Sequence, residues 1–329
     1  MFLSILNVSS YLPTRCVTNA DIIANIDSSD EWIKSRTGIA QRYIANGEDE
    51  TTTLMSYNAC KKLFEGVTSI SPNDINCIVV ATTTQDSSFP STANMLQNKL
   101  GIQNGKCFSF DLQAACSGFT YGMHVINGLH MLHRRSSTSP FRALLIGADI
   151  MSRLVDWSDR NTCILFGDGA SAVLLSDNIA DFSHISENAG IIGTNIIANT
   201  NEVGSLFVET PLGNGKLRMN GKEVFKKAIS GMVQMATSLI EKNSIALTDI
   251  NWFIPHQANI RIINNVADIL GVSIDKFITT IEKHANTSAS SIPLALEDAI
   301  NSGKLQRGDL VMLLSAGAGM TFGGVIMRY

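Results

Sequence analysis

Charged residues make up only 16% of this 329-residue chain and aromatics only 7%, against 45% hydrophobic residues. Together these fractions describe a globular chain with ample core and modest surface. A formal net charge of −4 argues against a general polyanion binder, so no nucleic acid is expected as partner. No run of about eighteen apolar residues occurs without interruption, so no membrane span is expected. Met1 to Pro13 lacks the basic, apolar and small-residue succession of an export leader, so the chain is expected to act in the cytoplasm. The six cysteines stand at 16, 60, 77, 107, 116 and 163, with no Cys-x-x-Cys pair and no histidine at zinc-finger spacing. A disulfide framework and a metal site are therefore not expected.

What is present is a repeated alternation of helix and strand. Phe2 to Val8 reads as a strand and Thr51 to Phe64 as a helix. Ile75 to Ala81 reads as a buried strand, Ser87 to Leu100 as a helix and Arg142 to Ile150 as another buried strand. His133 to Pro140 reads as an exposed loop. Val224 to Lys242 places Phe225, Ile229, Met232, Ala236, Leu239 and Ile240 on one helical stripe. The segment from Ser244 to Ile254 rhymes with that from Ser69 to Val79, each running Ser-Ile, then Asp-Ile-Asn, then an apolar strand. Leu310 to Met327 rhymes in the same way with Leu144 to Gly169. Two matches in one order indicate a duplication. The expected architecture is α/β with parallel-rich sheets covered by helices, divided into halves 1–176 and 177–329 by a hinge at 176–198.

Four polar or small-residue stretches interrupt this pattern. Cys116 stands where the strand-like run from Cys107 hands over to a helix beginning near Phe119. There, free N–H groups and the helix dipole favour a thiolate. A small buried apolar cysteine fits the same stretch. Pro255-His256-Gln257-Ala258-Asn259 ends the repeated strand, and His284 to Ser291 forms a polar turn before a helix. Ser315-Ala316-Gly317-Ala318-Gly319 is a loop whose N–H groups can approach a reacting atom closely. Near the amino terminus, Ser28 to Arg36 caps a short helix that carries Trp32 and Arg36 four apart, a pairing suited to a flat base with phosphates and equally to an anchored surface helix.

Ala115-Cys116-Ser117-Gly118-Phe119, Pro255 to Ile262 and Asn286-Thr287-Ser288-Ala289-Ser290 resemble three signatures of the β-ketoacyl-[acyl-carrier-protein] synthase III family. Tyr11-Leu12-Pro13, Asp30-Glu31-Trp32, Arg36 to Ile39, Phe89-Pro90-Ser91 and Phe166-Gly167-Asp168-Gly169 extend the likeness over essentially the whole chain. The resemblance implies a thiolase-type duplicated five-layered α-β-α-β-α fold. It implies decarboxylative condensation of a short acyl-CoA with malonyl-[acyl-carrier protein], the step that initiates fatty acid synthesis, by a homodimer with no resident cofactor or metal.

The same likeness implies Cys116 as nucleophile, and His256 and Asn286 as donors to the malonyl thioester carbonyl. Backbone N–H groups of Cys116 and the Gly317-Ala318-Gly319 loop would hold the second oxyanion. Trp32 and Arg160 resemble the residues that sandwich the CoA adenine, with Arg36 near its phosphates. Gly221, Phe225 and Asn259 resemble residues of the pantetheine passage, and Phe89 the residue that closes the acyl pocket across the dimer. Gln257, Ala258, Asn259, Ile260 and Arg261, with Lys226 and Lys227, correspond to the carrier-protein docking region. A plain solvated helix face also accounts for the two lysines.

The chain departs from the family pattern at Ala318, at His284-Ala285 and at Ser315, which leaves primer preference open. A thiolase would need a second cysteine near the final loop, and Leu313 to Phe322 has none. Chalcone-type synthases lack the His256-Gln257-Ala258-Asn259 context, and no catalytic glutamate of a hydroxymethylglutaryl-type synthase is identifiable near Cys116. A related condensing enzyme of secondary metabolism and a non-catalytic partner subunit are the remaining alternatives.

Overall fold

The computed structural model describes residues 2–24, 26–182, 188–208 and 215–329. Two mixed sheets form its centre. The first is built from β1 (Ser4–Tyr11), β2 (Cys77–Ala81), β3 (Phe108–Leu112), β4 (Arg142–Asp149) and β5 (Gly169–Ser176), in the order β1-β5-β4-β2-β3. The second is built from β6 (Gly190–Ala198), β7 (Trp252–Pro255), β8 (Leu310–Gly317) and β9 (Thr321–Arg328), in the order β7-β8-β9-β6. Helices α1 (Thr52–Glu65) and α2 (Thr92–Lys99) cover the outer face of the first sheet; α4 (Gly221–Asn243) and α5 (Ile260–Leu270) cover that of the second. Between the sheets lie α3 (Gly118–Ser136) and α6 (Ser291–Asn301), whose Phe119, Met123, Ile126, Ile292, Leu296 and Ala299 pack against both. This is the five-layered α-β-α-β-α arrangement of the thiolase-type fold.

The layering explains the strand sequences. In β4, Ala143 and Leu145 face the central helices while Leu144 and Ile146 face α1 and α2, so both faces of the strand are buried. With helices on both sides an antiparallel strand is as apolar as a parallel one, and the expected parallel-rich sheets are in fact mixed. β2 runs parallel to β3 and β4, and β7 parallel to β8. β5 is antiparallel to β1 and β4, and β9 to β6 and β8.

The sequence rhyme has a structural cause. Asp74 accepts hydrogen bonds from the backbone N–H of Ser71 (2.8 Å) and its hydroxyl (2.9 Å), and Asp249 accepts one from Ala246 N–H (3.1 Å), so each aspartate closes the turn before its strand. Two residues on, Asn76 Oδ1 accepts from Arg142 N–H at 2.8 Å and Asn251 Oδ1 from Leu310 N–H at 2.7 Å. The asparagine of each Asp-Ile-Asn thus sets the register at which the next parallel strand enters. Among the described residues the second sheet has no full counterpart of β3. In its place Phe277 makes a single parallel bridge to Phe253.

Two boundaries differ from expectation. α3 continues to Ser136 rather than yielding to a loop at His133, because His133, Arg134 and Arg135 suit the negative end of a helix and Arg134 pairs with the buried Asp177. The segment read as a hinge, 176–198, includes residues 183–187, which lie outside the described residues, and its last nine residues are β6.

Candidate active site

β3 ends at Leu112, and the chain passes through a short 3₁₀ turn, Ala115–Ser117, before α3 begins at Gly118. Cys116 sits in that turn and is 7% exposed. Gly317 explains how the final loop reaches it: a Cβ there would lie 2.8 Å from Ser117 N and 3.0 Å from Ala114 O, so only glycine permits this backbone contact. Gly319 has φ +132°, a conformation that L side chains rarely adopt. Ala318, the departure from the usual glycine, lines a larger cavity of about 760 Å³ together with Cys116, Ser288 and Gly319.

His256 follows β7, where Pro255 ends the strand; its N–H donates to Leu314 O at 2.8 Å, and its ring is buried. Asn286 is clamped through its backbone: its N–H donates to Leu165 O (2.9 Å) and its carbonyl accepts from Gly167 N–H (3.0 Å). The Phe166-Gly167-Asp168-Gly169 motif makes this possible. A Cβ on Gly167 would lie 2.8 Å from His284 O, and Asp168 ties the loop down by accepting from Ala45 N–H and Ser152 N–H, each at 2.8 Å. Asn286 Oδ1 accepts from Ser288 N–H at 2.9 Å, which leaves the amide hydrogens of Nδ2 for the cavity. Cys116, His256 and Asn286 line one cavity of about 90 Å³.

Burial governs the protonation of this site. It pushes the Cys116 thiol from its ordinary value near 9 up to about 12; the Asp149 charge acts in the same direction and a hydrogen bond from Ser288 acts against both. That rise corresponds to roughly 4 kcal/mol, whereas a helix end supplies up to about 2 kcal/mol. The resting sulfur is therefore a thiol, and the expected dipole-stabilised thiolate is outweighed. Burial likewise holds His256 down to about 4, so its ring is neutral at physiological pH.

Gly221, Phe225, Ala258 and Asn259 line the same cavity as the three polar residues. Space does not demand glycine at 221, since a Cβ would meet only the Met219 methyl at 3.6 Å. Asn259 caps α5 by accepting from Arg261 N–H at 2.9 Å, and its Nδ2 donates to Arg36 O at 3.0 Å. Ile260 packs on the turn at Gly38, where a Cβ would come within 2.6 Å of it. Trp32 and Arg160 lie outside the cavity and touch each other, the guanidinium 4.8 Å from the ring centre, with Arg36 at 6.0 Å. Arg261 lies over Phe225 at 5.4 Å, Lys226 is exposed, and Phe89 is 86% exposed.

Gln257 corrects the expectation of a surface docking residue. It is 1% exposed; its Nε2 donates to Pro255 O (2.6 Å) and Ile278 O (3.2 Å), and its Oε1 accepts from Thr280 N–H (2.9 Å). Its side chain ties the end of β7 to the neighbouring segment and offers nothing to a partner.

Two groups near the site carry no assigned role in the sequence reading. Asp149, fully buried at the end of β4, accepts from Thr83 N–H (2.7 Å), Thr83 Oγ1 (2.9 Å) and Ala289 N–H (3.4 Å), and burial raises its pKa. Its signal was a lone carboxylate closing an otherwise apolar strand. Ser288, whose hydroxyl lies close enough to Cys116 and Asp149 to lower the pKa of each, has φ +54°, strain of a kind that collects at functional sites.

A duplicated five-layered fold with a buried cysteine at a helix start, sharing one cavity with a histidine and an asparagine, defines an enzyme of the thiolase-fold class. Residues 110–199 match the family model for 3-oxoacyl-[acyl-carrier-protein (ACP)] synthase III, and residues 240–329 match the model for its C-terminal part. The chain is 46% identical over 329 residues to the β-ketoacyl-[acyl-carrier-protein] synthase III of Wolbachia pipientis wMel, covering 99% of this chain and 98% of that one. The solved 3-oxoacyl-[acyl-carrier-protein] synthase III of Aquifex aeolicus VF5 superposes with TM-score 0.90 at 38% identity, covering 99% of this chain and all of the other. That of Pseudomonas aeruginosa PAO1 superposes with TM-score 0.89 at 32% identity, covering 100% and 98%. The chain belongs to the β-ketoacyl-[acyl-carrier-protein] synthase III family. It is accordingly an acyltransferase of the condensing type.

Proposed function

We propose that this chain condenses a short acyl-CoA, acetyl-CoA in the first instance, with malonyl-[acyl-carrier protein] to give a 3-oxoacyl-[acyl-carrier protein], initiating type II fatty acid synthesis. The observation that carries this reading is the convergence of Cys116, His256 and Asn286 on one cavity. In the first half-reaction the sulfur of Cys116 attacks the primer thioester. The acyl carbon exchanges its bond to the CoA sulfur for one to Cys116, and the thiol proton ends on the departing CoA. In the second, the malonyl group loses carbon dioxide. The electron pair of the broken bond passes into an enolate, whose oxygen takes hydrogen bonds from His256 Nε2 and Asn286 Nδ2. The enolate carbon attacks the acyl-cysteine, and the resulting oxyanion is held by N–H groups of Cys116 and the Gly317-Ala318-Gly319 loop until Cys116 leaves.

The CoA adenine enters between Trp32 and Arg160, which means that the contact between these two side chains opens on binding. Arg36 serves the phosphates, while Gly221, Phe225 and Asn259 flank the pantetheine arm. Lys226 and Arg261, exposed beside the cavity, suit an acidic carrier protein. The edge strand β3 and the exposed Phe89 are read as the face of a homodimer, since an uncovered strand edge and a bare phenylalanine both favour pairing. Among the described residues no helix is long and apolar enough to cross a membrane, and no cluster of metal-binding side chains occurs.

Labelled acetyl-CoA and malonyl-carrier protein test the reading. Wild type takes up label and releases it as 3-oxoacyl product, Cys116→Ala takes up none, and His256→Ala and Asn286→Ala take it up but do not condense. Label on Cys116→Ala removes the nucleophile assignment, and equal loss of both half-reactions in the other two removes the division of labour.

A further inference from the structure

His256 Nδ1 lies 2.6 Å from the hydroxyl oxygen of Ser291, the first residue of α6, and both side chains are buried. The same oxygen accepts the backbone N–H of Gln257 at 3.3 Å. Among the described residues Nε2 has no hydrogen-bond partner, and the histidine lines the cavity shared with Cys116 and Asn286. The ring is neutral, so it carries one N–H, and the serine carries one O–H.

Only one distribution uses every hydrogen. If Nδ1 held the proton, Ser291 Oγ would receive two N–H groups while its own hydrogen found no acceptor, because no carbonyl or carboxylate among the described residues takes a bond from it. A buried hydroxyl hydrogen left unpaired is costly. If instead the hydroxyl donates to Nδ1, the oxygen still accepts from Gln257 and the ring proton sits on Nε2, facing the substrate. The amino-terminal end of α6 beside the ring also opposes an imidazolium.

We propose that Ser291 is a positioning residue that fixes His256 as the Nε2–H tautomer, so that the ring meets the substrate as a hydrogen-bond donor. This rests on the reading of His256 as a donor to the thioester carbonyl. Ser291 acts only through the histidine and touches no reacting atom, so its loss bears on the step that needs the donor and spares acyl transfer to Cys116.

The test is nitrogen NMR of the full-length protein labelled in histidine, with the His256 signals assigned from His256→Gln. Wild type shows Nε2 protonated and Nδ1 bare. Ser291→Ala loses that preference, and its kcat for condensation falls roughly three- to tenfold, the size expected for one buried hydrogen bond, at unchanged KM for malonyl-carrier protein. Ser291→Thr, which keeps the hydroxyl, restores both. A wild-type ring protonated at Nδ1 overturns the proposal whether or not Ser291→Ala folds, and so does a Ser291→Ala protein with the wild-type tautomer. Failure of the functional reading would show separately, as full condensation by His256→Ala.

Discussion

Gly317→Ala puts the geometry beside the nucleophile to a quantitative test. The new methyl carbon would lie 2.8 Å from Ser117 N, 2.8 Å from Thr321 Oγ1 and 3.0 Å from Ala114 O, where ordinary contact begins near 3.4 Å. Two of these three atoms are backbone of the turn that carries Cys116, so the loop and the turn must part by roughly 0.6 Å, the shortfall between 2.8 and 3.4 Å. Overpacking of this kind costs about 1–3 kcal/mol. With an unfolding entropy of about 2.1 cal/mol/K per residue, that lowers Tm by roughly 1.5–4 °C for a chain of this length. The functional cost is of similar size but read in a different assay: a misplacement approaching 1 Å can cost about a hundredfold, so kcat/KM for acyl transfer is expected to fall roughly 10- to 100-fold. Thermal denaturation and labelling from acetyl-CoA measure the two effects. Gly204→Ala is the control, since its Cβ meets nothing within 4 Å and its φ is not positive. Wild-type labelling and Tm in Gly317→Ala would refute the claim that the final loop abuts the nucleophile turn.

Other consequences can be read with equal directness. Asp149→Asn turns amide hydrogens toward donors that now meet a carboxylate, leaving one or two of them unsatisfied; a loss of about 2–4 kcal/mol is expected in denaturant titration. Because the Asp149 charge helps to raise the thiol, the folded variant should also alkylate faster than wild type at pH 8, and an unchanged rate would deny the coupling. In wild type the alkylation rate of Cys116 should climb about tenfold per pH unit from 7 to 10, since a thiol held up to about 12 gains thiolate throughout that range; a plateau near pH 7 would show a stabilised thiolate. Arg160→Met should raise KM for acetyl-CoA about fivefold, within the range of one stacked cation, yet leave KM for an acetyl thioester lacking the nucleotide unchanged. Equal effects on both primers would move Arg160 out of the adenine site.

The parts of this site that were legible in the sequence are those encoded by neighbours in the chain. Pro255 ahead of His256, the small residues after Cys116 and the turn around Asn286 each announce a break in a regular element. The Asp-Ile-Asn repeat announces the duplication, because a capping aspartate and a register-setting asparagine act over a few residues. What stayed hidden depends on contacts across long stretches of chain. Ser291 reaches His256 across 35 residues, and Asp149 reaches Ala289 across 140. In a list of letters a serine in a polar turn looks the same whether it orients a histidine or faces water. Gln257 shows the converse, a polar residue in a motif that turns inward to bond backbone groups. Strand direction was hidden for another reason: burial on both faces erases the alternation that marks antiparallel sheets.

The protonation states give the site a logic that its letters do not. Cys116 stays a thiol and His256 a neutral ring over the physiological range, and no lysine, arginine, aspartate or glutamate lines the smaller cavity among the described residues. On the proposed reading, the malonyl carboxylate is then the one full charge to enter. A cation there would stabilise that carboxylate and resist the loss of carbon dioxide. Neutral donors do the opposite, because a hydrogen bond aimed at the thioester oxygen strengthens as charge moves from the carboxylate onto that oxygen. The burial that denies Cys116 its thiolate also keeps water from competing for the enolate. An uncharged resting site is thus consistent with a reaction in which charge must be made and moved, rather than held.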